Sequence, residues 1–181
     1  MIDLFFGIVQ GITEFLPISS SGHLVILSEI FNSNNLSTYE IAFLHLGTFF
    51  SILIFYLKDI VSILKNKDTF IKISKLILVG IIPAAAFGLF LPISTIIDES
   101  SAILAITSIA YIFIGVILYF ADKLDEGNKS VLDLTIKESL LIGFAQALAL
   151  FPGVSRSGIT LSTALYLKLK KTEAIFFSLL L

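Results

Sequence analysis

The sequence predicts an all-α, polytopic membrane protein of inverted-topology repeats with two re-entrant helical hairpins, the second repeat incomplete. Three observations lead there. The 181 residues are 56% hydrophobic and only 14% charged, with 17 phenylalanines, and the mean hydropathy is +0.99, as expected of a chain whose main solvent is lipid. Its lysines cluster in short stretches between long apolar runs. A serine-glycine break in an apolar segment also occurs twice, 136 residues apart. The net charge of −2 comes with no basic patch, so a nucleic-acid partner is not expected. The absence of cysteine excludes disulfides, thiolate metal sites and cysteine nucleophiles.

Taken in order, the first element is the apolar stretch from Leu4 to Ile30, broken at Pro17-Ile-Ser-Ser-Ser-Gly22. No positive charge precedes Lys58, so the basic n-region of a cleaved signal peptide is lacking and this stretch reads as mature structure. Residues 41–57, 76–97 and 102–121 read as spanning helices, each about long enough for a ~30 Å hydrocarbon core at 1.5 Å per residue. Lys58, Lys65, Lys67, Lys72 and Lys75 fill the first connection, and Lys123, Lys129 and Lys137 the third, while the second offers only Asp98 and Glu99. By the positive-inside rule the lysine loops are cytoplasmic, in a multi-pass plasma-membrane protein. Lys168, Lys170 and Lys171 should then be cytoplasmic too.

That placement makes Ser139 to Leu167 enter and leave on one side, as a re-entrant hairpin does. Its non-helical tip, Pro152 to Gly158, would be buried in protein or line a wet cavity. The stretch 4–30 has the same form, and the lysine-free loop Phe31 to Glu40 should lie outside. Pro83 reads as a kink. His45 reads as an interhelical hydrogen-bonding residue, with lining of the site as the alternative.

Residues 7 to 22 align without a gap on 143 to 158. The identities are Gly7/Gly143, Gln10/Gln146, Phe15/Phe151, Ser19/Ser155, Ser21/Ser157 and Gly22/Gly158. A glutamine and a patterned serine-glycine break make chance a weak explanation. The first repeat covers 1–136 and the second begins at 137. Three spans lie between the two hairpins, so the second copy is inverted, and such repeats place a site near the midplane at their interface. Residues 137–181 hold only the start of the second copy. The expectation is therefore of a truncated sequence, inactive by itself, whose parent would run to about 272 residues.

Chemistry is divided between the copies. The first supplies Gln10 and Glu14 on one helix face, then Ser20 and His23. The second replaces Glu14 by Leu150 and Ser20 by Arg156, the only arginine in the chain. A guanidinium at membrane depth costs at least ~2.5 kcal/mol, so it needs a partner or substrate, and its planar fork suits phosphate or carboxylate. Glu14 can bind a cation or act as a base. His23 can transfer protons or attack phosphorus, Ser20 can position or attack, and Arg156 can hold phosphate oxygens. Ser155, Ser157, Thr160 and the N–H groups around Gly153 and Gly158 add donors. The plainer reading makes Glu14 and Arg156 a structural ion pair. The serines would then serve as packing residues.

Gln10-Gly-Ile-Thr-Glu14-Phe-Leu-Pro-Ile-Ser-Ser-Ser-Gly-His23, taken with Pro152-Gly-Val-Ser-Arg-Ser-Gly-Ile-Thr160, resembles the undecaprenyl-diphosphate phosphatase family, the bacitracin-resistance proteins. The resemblance runs to Leu181 and covers roughly the first two thirds of a member. It implies a membrane enzyme that hydrolyses a polyprenyl diphosphate to the monophosphate and inorganic phosphate with a divalent cation, magnesium or calcium. That reaction recycles the carrier lipid for cell-wall synthesis. The resemblance also implies catalytic roles for Glu14, Ser20, His23 and Arg156, phosphate contacts for Ser155, Arg156, Ser157 and Thr160, metal contacts for Glu14 and Gln10, and a site opening toward the outer face. Gln10 departs from the glutamate many members carry, which puts the role of that position in question. Ser20 and His23 both remain open as nucleophile; the expected partners are the polyprenyl diphosphate lipid and the membrane bilayer, with a homo-oligomer left open. The rival functions are a transporter or flippase of phosphorylated polyprenyl lipid and a non-catalytic phosphate-lipid binder.

Overall fold

The computed structural model describes residues 2–31, 38–90 and 102–181, with the side chains of 2, 3, 38, 39, 41 and 42 left aside. Its helices are α1 (Ile2–Thr13), α2 (Ser20–Ile30), α3 (Thr38–Phe55), α4 (Leu57–Lys65), α5 (Lys67–Phe90), α6 (Ile103–Asp122), α7 (Ile136–Ala147), α8 (Arg156–Tyr166) and α9 (Lys171–Leu180). Short 3-10 turns stand at Val131–Asp133 and Leu148–Leu150. No strand occurs among the described residues, so the protein is all-α. Helices α5 and α6 are long and apolar enough to cross a membrane, and α3 with α4 would make a third span if that pair, bent by 66°, is counted as one.

The first connection departs from expectation. Lys58 and Lys65 belong to α4 and Lys67, Lys72 and Lys75 to the first turns of α5, so the lysine-rich stretch is helical rather than a loop. The reason lies in its side chains. Straight-chain lysines are good helix formers, and α4 carries Asp59 in its first turn and Lys65 in its last, complementing the helix dipole. The helix that carries the second span accordingly begins at Lys67, nine residues before Leu76, and α5 continues through Pro83. The expected loop containing Asp98 and Glu99, the end of that span at Ile97 and the centre of the loop from Phe31 to Glu40 lie outside the described residues.

Lipid inverts the usual packing logic. Leu78, Ile82, Leu89 and Phe90 on α5 and Ile109 and Ile112 on α6 are exposed, while Thr107, Ser139, Thr160 and Ser162 are buried. Hydrocarbon solvates leucine as well as another leucine does, so helices associate through close backbone approach and interhelical hydrogen bonds instead. The α5–α7 contact is built that way. Ser139 Oγ donates to the Leu76 carbonyl at 2.5 Å, and a Cβ added at Gly143 would stand 2.2 Å from the Gly80 carbonyl oxygen. Only hydrogen fits there. Pro83 packs against the same spot, its Cδ 3.0 Å from that Cβ position.

At one end of the molecule the lysine-bearing segments are tied together. The Lys129 N–H donates to the Lys168 carbonyl at 3.0 Å, and the Lys170 N–H to the Lys129 carbonyl at 2.9 Å. Lys129 Nζ also donates to Glu138 at 2.5 Å, Glu173 accepts from the Val131 N–H at 2.8 Å, and Lys171 reaches Asp122 at 3.2 Å. The segment from Ser139 to Leu167 therefore starts and finishes at the same end. In the first hairpin, the Phe5 and Phe31 rings meet edge to face at 5.7 Å, which likewise closes the start of α1 on the end of α2.

Two outcomes follow. Gly143→Ala should lower thermal stability in detergent, by about 1–3 kcal/mol as for an overpacked core. Gly115→Ala, where nothing lies within 4 Å of the new carbon, should be neutral or stabilising by up to about 1 kcal/mol. Equal effects would show that the α5–α7 approach is not limiting. The bond from Lys129 and the Thr135 N–H hold the Glu138 carboxyl below its ordinary value of 4.5. Its contribution to stability is therefore complete above that value and is lost as pH falls through the lowered one. Hydrogen-exchange protection of the Lys129 and Lys170 amides, relative to their intrinsic rates, should fall on that descent, and Glu138→Gln should make that fall shallower.

Candidate active site

Each hairpin is interrupted by the same device. Helix α1 ends at Thr13, although the Glu14 N–H still donates to the Gln10 carbonyl at 3.0 Å, so Glu14 keeps its helical offset from Gln10. Pro17 cannot donate to a continuing helix. The chain resumes at Ser20 with Ser19 as cap, its Oγ accepting from the Gly22 N–H at 3.4 Å. In the second copy Ser155 caps α8 by accepting from the Gly158 N–H at 3.1 Å. The partner serines follow suit, with Ser19 and Ser21 hydroxyls 3.4 Å apart and those of Ser155 and Ser157 3.2 Å apart. Helix resumes at Arg156, so the unwound tip is shorter than the expected 152–158.

The two breaks touch. Ser157 Oγ donates to the Leu16 carbonyl at 3.4 Å. A Cβ on Gly22 would lie 3.0 Å from Gly153 Cα, and one on Gly158 3.1 Å from the Pro17 carbonyl oxygen. Gly153 itself has φ +95°, and a Cβ there would come within 2.6 Å of the Thr107 carbonyl oxygen. Glycine is thus required twice over, by the turn and by its seat on α6.

Where the breaks meet, opposite charges pair. Arg156 Nη2 donates to Glu14 Oε1 at 2.9 Å. Glu14 Oε2 accepts from Ser20 Oγ at 2.5 Å and from Gln10 Nε2 at 2.9 Å, and His45 Nε2 lies 3.5 Å away. The Glu14 side chain is 8% exposed and that of Arg156 47%, so the carboxylate is enclosed while the guanidinium keeps an open face. They border a cleft of about 320 Å³, lined also by Ser20, Ser21, Ser155, Ser157, His45 and Gln146. Two helix N-termini begin on this cleft, where first-turn N–H groups lack intrahelical acceptors and favour an anion.

Three candidates sit differently from this group. His23 is absent from the cleft lining. Its Nδ1 lies 2.8 Å from both the Ser19 carbonyl and the Tyr111 hydroxyl, and Tyr111 also donates to the Ser19 carbonyl at 3.2 Å. Ser19, at φ 62°, is thereby held in a backbone conformation that costs a non-glycine residue energy. Thr160 is fully buried. It donates to the Arg156 carbonyl at 2.8 Å and shares a 2.5 Å bond with Ser178, so it braces the turn that carries Arg156. Gln10 is buried behind Glu14. Its Oε1 has no hydrogen-bond partner.

For a divalent cation, no cluster of three acidic or histidine side chains exists among the described residues. Magnesium often takes one or two carboxylates and completes its shell from substrate phosphates and water. The Glu14 carboxylate is a donor of that kind, and the Gln10 Oε1 has no partner among the described residues, though Gln10 lies outside the cleft lining and turns its Nε2 toward Glu14. Sequence reasoning underrated His45, which lines the cleft from α3, and missed Tyr111, an α6 residue that no motif marks. It noted Gln146 only as one of the repeat identities.

Comparison with known proteins agrees with the resemblance. The family profile described as "Bacitracin resistance protein BacA" matches residues 3–181. The chain is 39% identical over 175 residues to "Undecaprenyl-diphosphatase 3" of Bacillus cereus, covering 97% of this chain and 66% of that protein. It is 42% identical to "Undecaprenyl-diphosphatase" of Thermosipho melanesiensis, covering 99% and 72%. To the protein of that name from Methanococcus vannielii it is 41% identical, covering 100% and 73%. The chain thus spans about two thirds to three quarters of the length of these curated relatives. On the strength of the profile match and of these identities, the chain belongs to the BacA bacitracin-resistance family.

Proposed function

We propose that this protein hydrolyses undecaprenyl diphosphate to the monophosphate and inorganic phosphate at the cleft between the two breaks, recycling the carrier lipid for cell-wall synthesis and so conferring bacitracin resistance. The observation that carries the reading is the Glu14 carboxylate bonded at once to Ser20 and to Arg156. That is a nucleophile–base pair beside an anion holder.

The diphosphate binds with its terminal phosphoryl group against the open face of Arg156 and the first turns of α2 and α8, while its tail stays in hydrocarbon. Ser20 Oγ attacks the terminal phosphorus as its proton passes to Glu14. The bridging P–O bond breaks, and the monophosphate leaves with its oxygen taking that proton. Water then attacks the phosphoserine, giving its proton to Glu14, and Ser20 departs reprotonated as inorganic phosphate forms. A magnesium or calcium ion on Glu14 and Gln10, when bound, supplies further neutralisation of phosphate charge. Arg156, Ser155 and Ser157 hold oxygens; Thr160 supports the Arg156 turn and His23 supports the Ser19 cap.

With the lysine end cytoplasmic by the positive-inside rule, the proposed cleft opens toward the outer face of the plasma membrane.

Phosphate release from undecaprenyl diphosphate by the full-length protein in detergent provides the test. Arg156→Ala should lower kcat/KM by about 10²- to 10³-fold, the usual cost of a lost oxyanion donor, and Ser20→Ala, which removes the nucleophile, by more, on the order of 10⁴- to 10⁶-fold. His23→Ala should cost less than either. Undiminished release by both of the first two variants overturns the site, and lipid translocation without release from the wild type favours the transporter reading. Chelation of divalent cations should suppress release, with magnesium or calcium restoring it; release indifferent to chelation removes the cation.

A further inference from the structure

Gln146 is the repeat partner of Gln10, yet the two amides are used differently. Gln10 Nε2 donates to Glu14 four residues on, at 2.9 Å. The matching acceptor position in the second copy is Leu150, which cannot accept. Gln146 is 7% exposed and borders the cleft with Leu150 and Arg156. Its Oε1 is buried without a hydrogen-bond partner, and nothing among the described residues accepts from its Nε2. Among the described residues the amide thus has no protein partner, and its Nε2, unlike its Oε1, is not an enclosed atom, so Nε2 is the end free to bond to something in the cleft.

We infer that Gln146 is a substrate-positioning residue, whose side-chain N–H donates to a phosphate oxygen of the diphosphate held by Arg156. This rests on the phosphatase reading for its substrate, but the contact itself requires only an anion in the cleft. The loss of the acidic residue at position 150 has a double effect. It confines the base to the first copy, and it releases the second copy's glutamine from an internal bond so that it can face the ligand. The amide adds a neutral donor beside the guanidinium. It can select oxygen geometry without adding charge to a cleft whose own carboxylate is already paired.

The test separates binding from turnover. Full-chain wild type, Gln146→Leu and Gln146→Glu in detergent are titrated with inorganic pyrophosphate by calorimetry, with thermal stability and phosphate release measured in parallel. Gln146→Leu should weaken pyrophosphate binding roughly tenfold, the loss of one hydrogen bond to a charged group. Its Tm should be equal or higher, since a buried unpaired carbonyl is removed. Gln146→Glu should bind more weakly still, because its carboxylate repels the anion. Unchanged affinity in Gln146→Leu overturns the assignment, as does a fall in Tm that accompanies the loss of affinity in both variants, or failure of the wild type to bind pyrophosphate. Wild type that binds pyrophosphate in a Gln146-dependent way but releases no phosphate would keep this residue's role and remove the hydrolytic reading.

Discussion

The Glu14 carboxylate is the point on which the site depends. A carboxylate that is 8% exposed in a chain surrounded by lipid keeps its charge only if the protein replaces the lost hydration. Here the replacements come from four places in the sequence: Gln10 from the same helix, Ser20 from across the first break, His45 from α3, and Arg156 from the other repeat. Each bond therefore also fixes a position. To satisfy this one group, α1, α2, α3 and α8 must converge, and that convergence makes the cleft.

The sequence repeat supplies matching parts, and the departures from it supply the chemistry. Ser19 with Gly22, and Ser155 with Gly158, make the same cap hydrogen bond, although Ser19 has φ 62° and Ser155 φ −67°, and both helix N-termini border the cleft. Those parts suit any anion. Glu14 against Leu150, and Ser20 against Arg156, are where the copies differ. Had both copies kept the carboxylate, two like charges would share the cleft and repel a phosphate. With one acid and one base divided between them, the charges cancel at rest, while the half-exposed guanidinium still has donors to offer.

Much of this was legible in the sequence because its physical signals are local or countable. The long apolar helices follow from apolar runs, and the Lys129 and Lys168–Lys171 segments, grouped by their charge, do meet. The meeting of Glu14 and Arg156 followed from a 136-residue offset and the need of an intramembrane charge for a partner. What could not be read depends on direction. Lysines 58 to 75 looked like a loop because charge was counted without helix propensity. His23, adjacent to the serine cluster in sequence, is turned toward Tyr111, whereas His45, remote from every motif, reaches Glu14. A helix places neighbours in sequence about 100° apart, so adjacency to a motif does not decide which side chain enters the site. Thr160 shows the same limit: it lies in the signature, yet it holds the turn from behind.

The solvent of this protein also links stability to function more tightly than water would. In an aqueous protein the apolar core carries the fold, and polar site residues can be exchanged at modest cost. Here many large apolar side chains are exposed on the helix surfaces, and beside a buried apolar cluster that includes Leu76, Ile142 and Phe177 the close helix contacts are glycine against backbone and hydroxyl against carbonyl, as at Gly143 and Ser139. The serines that cap helices beside the cleft belong to the same class of contact. Their hydroxyls hold the start of each helix, the Ser157 hydroxyl fastens one hairpin to the other, and the helix ends so held border the cleft. A substitution at Ser19 or Ser155 would therefore loosen packing and misdirect donors together, whereas one at Gln146, which fastens nothing, can alter recognition while leaving the fold intact.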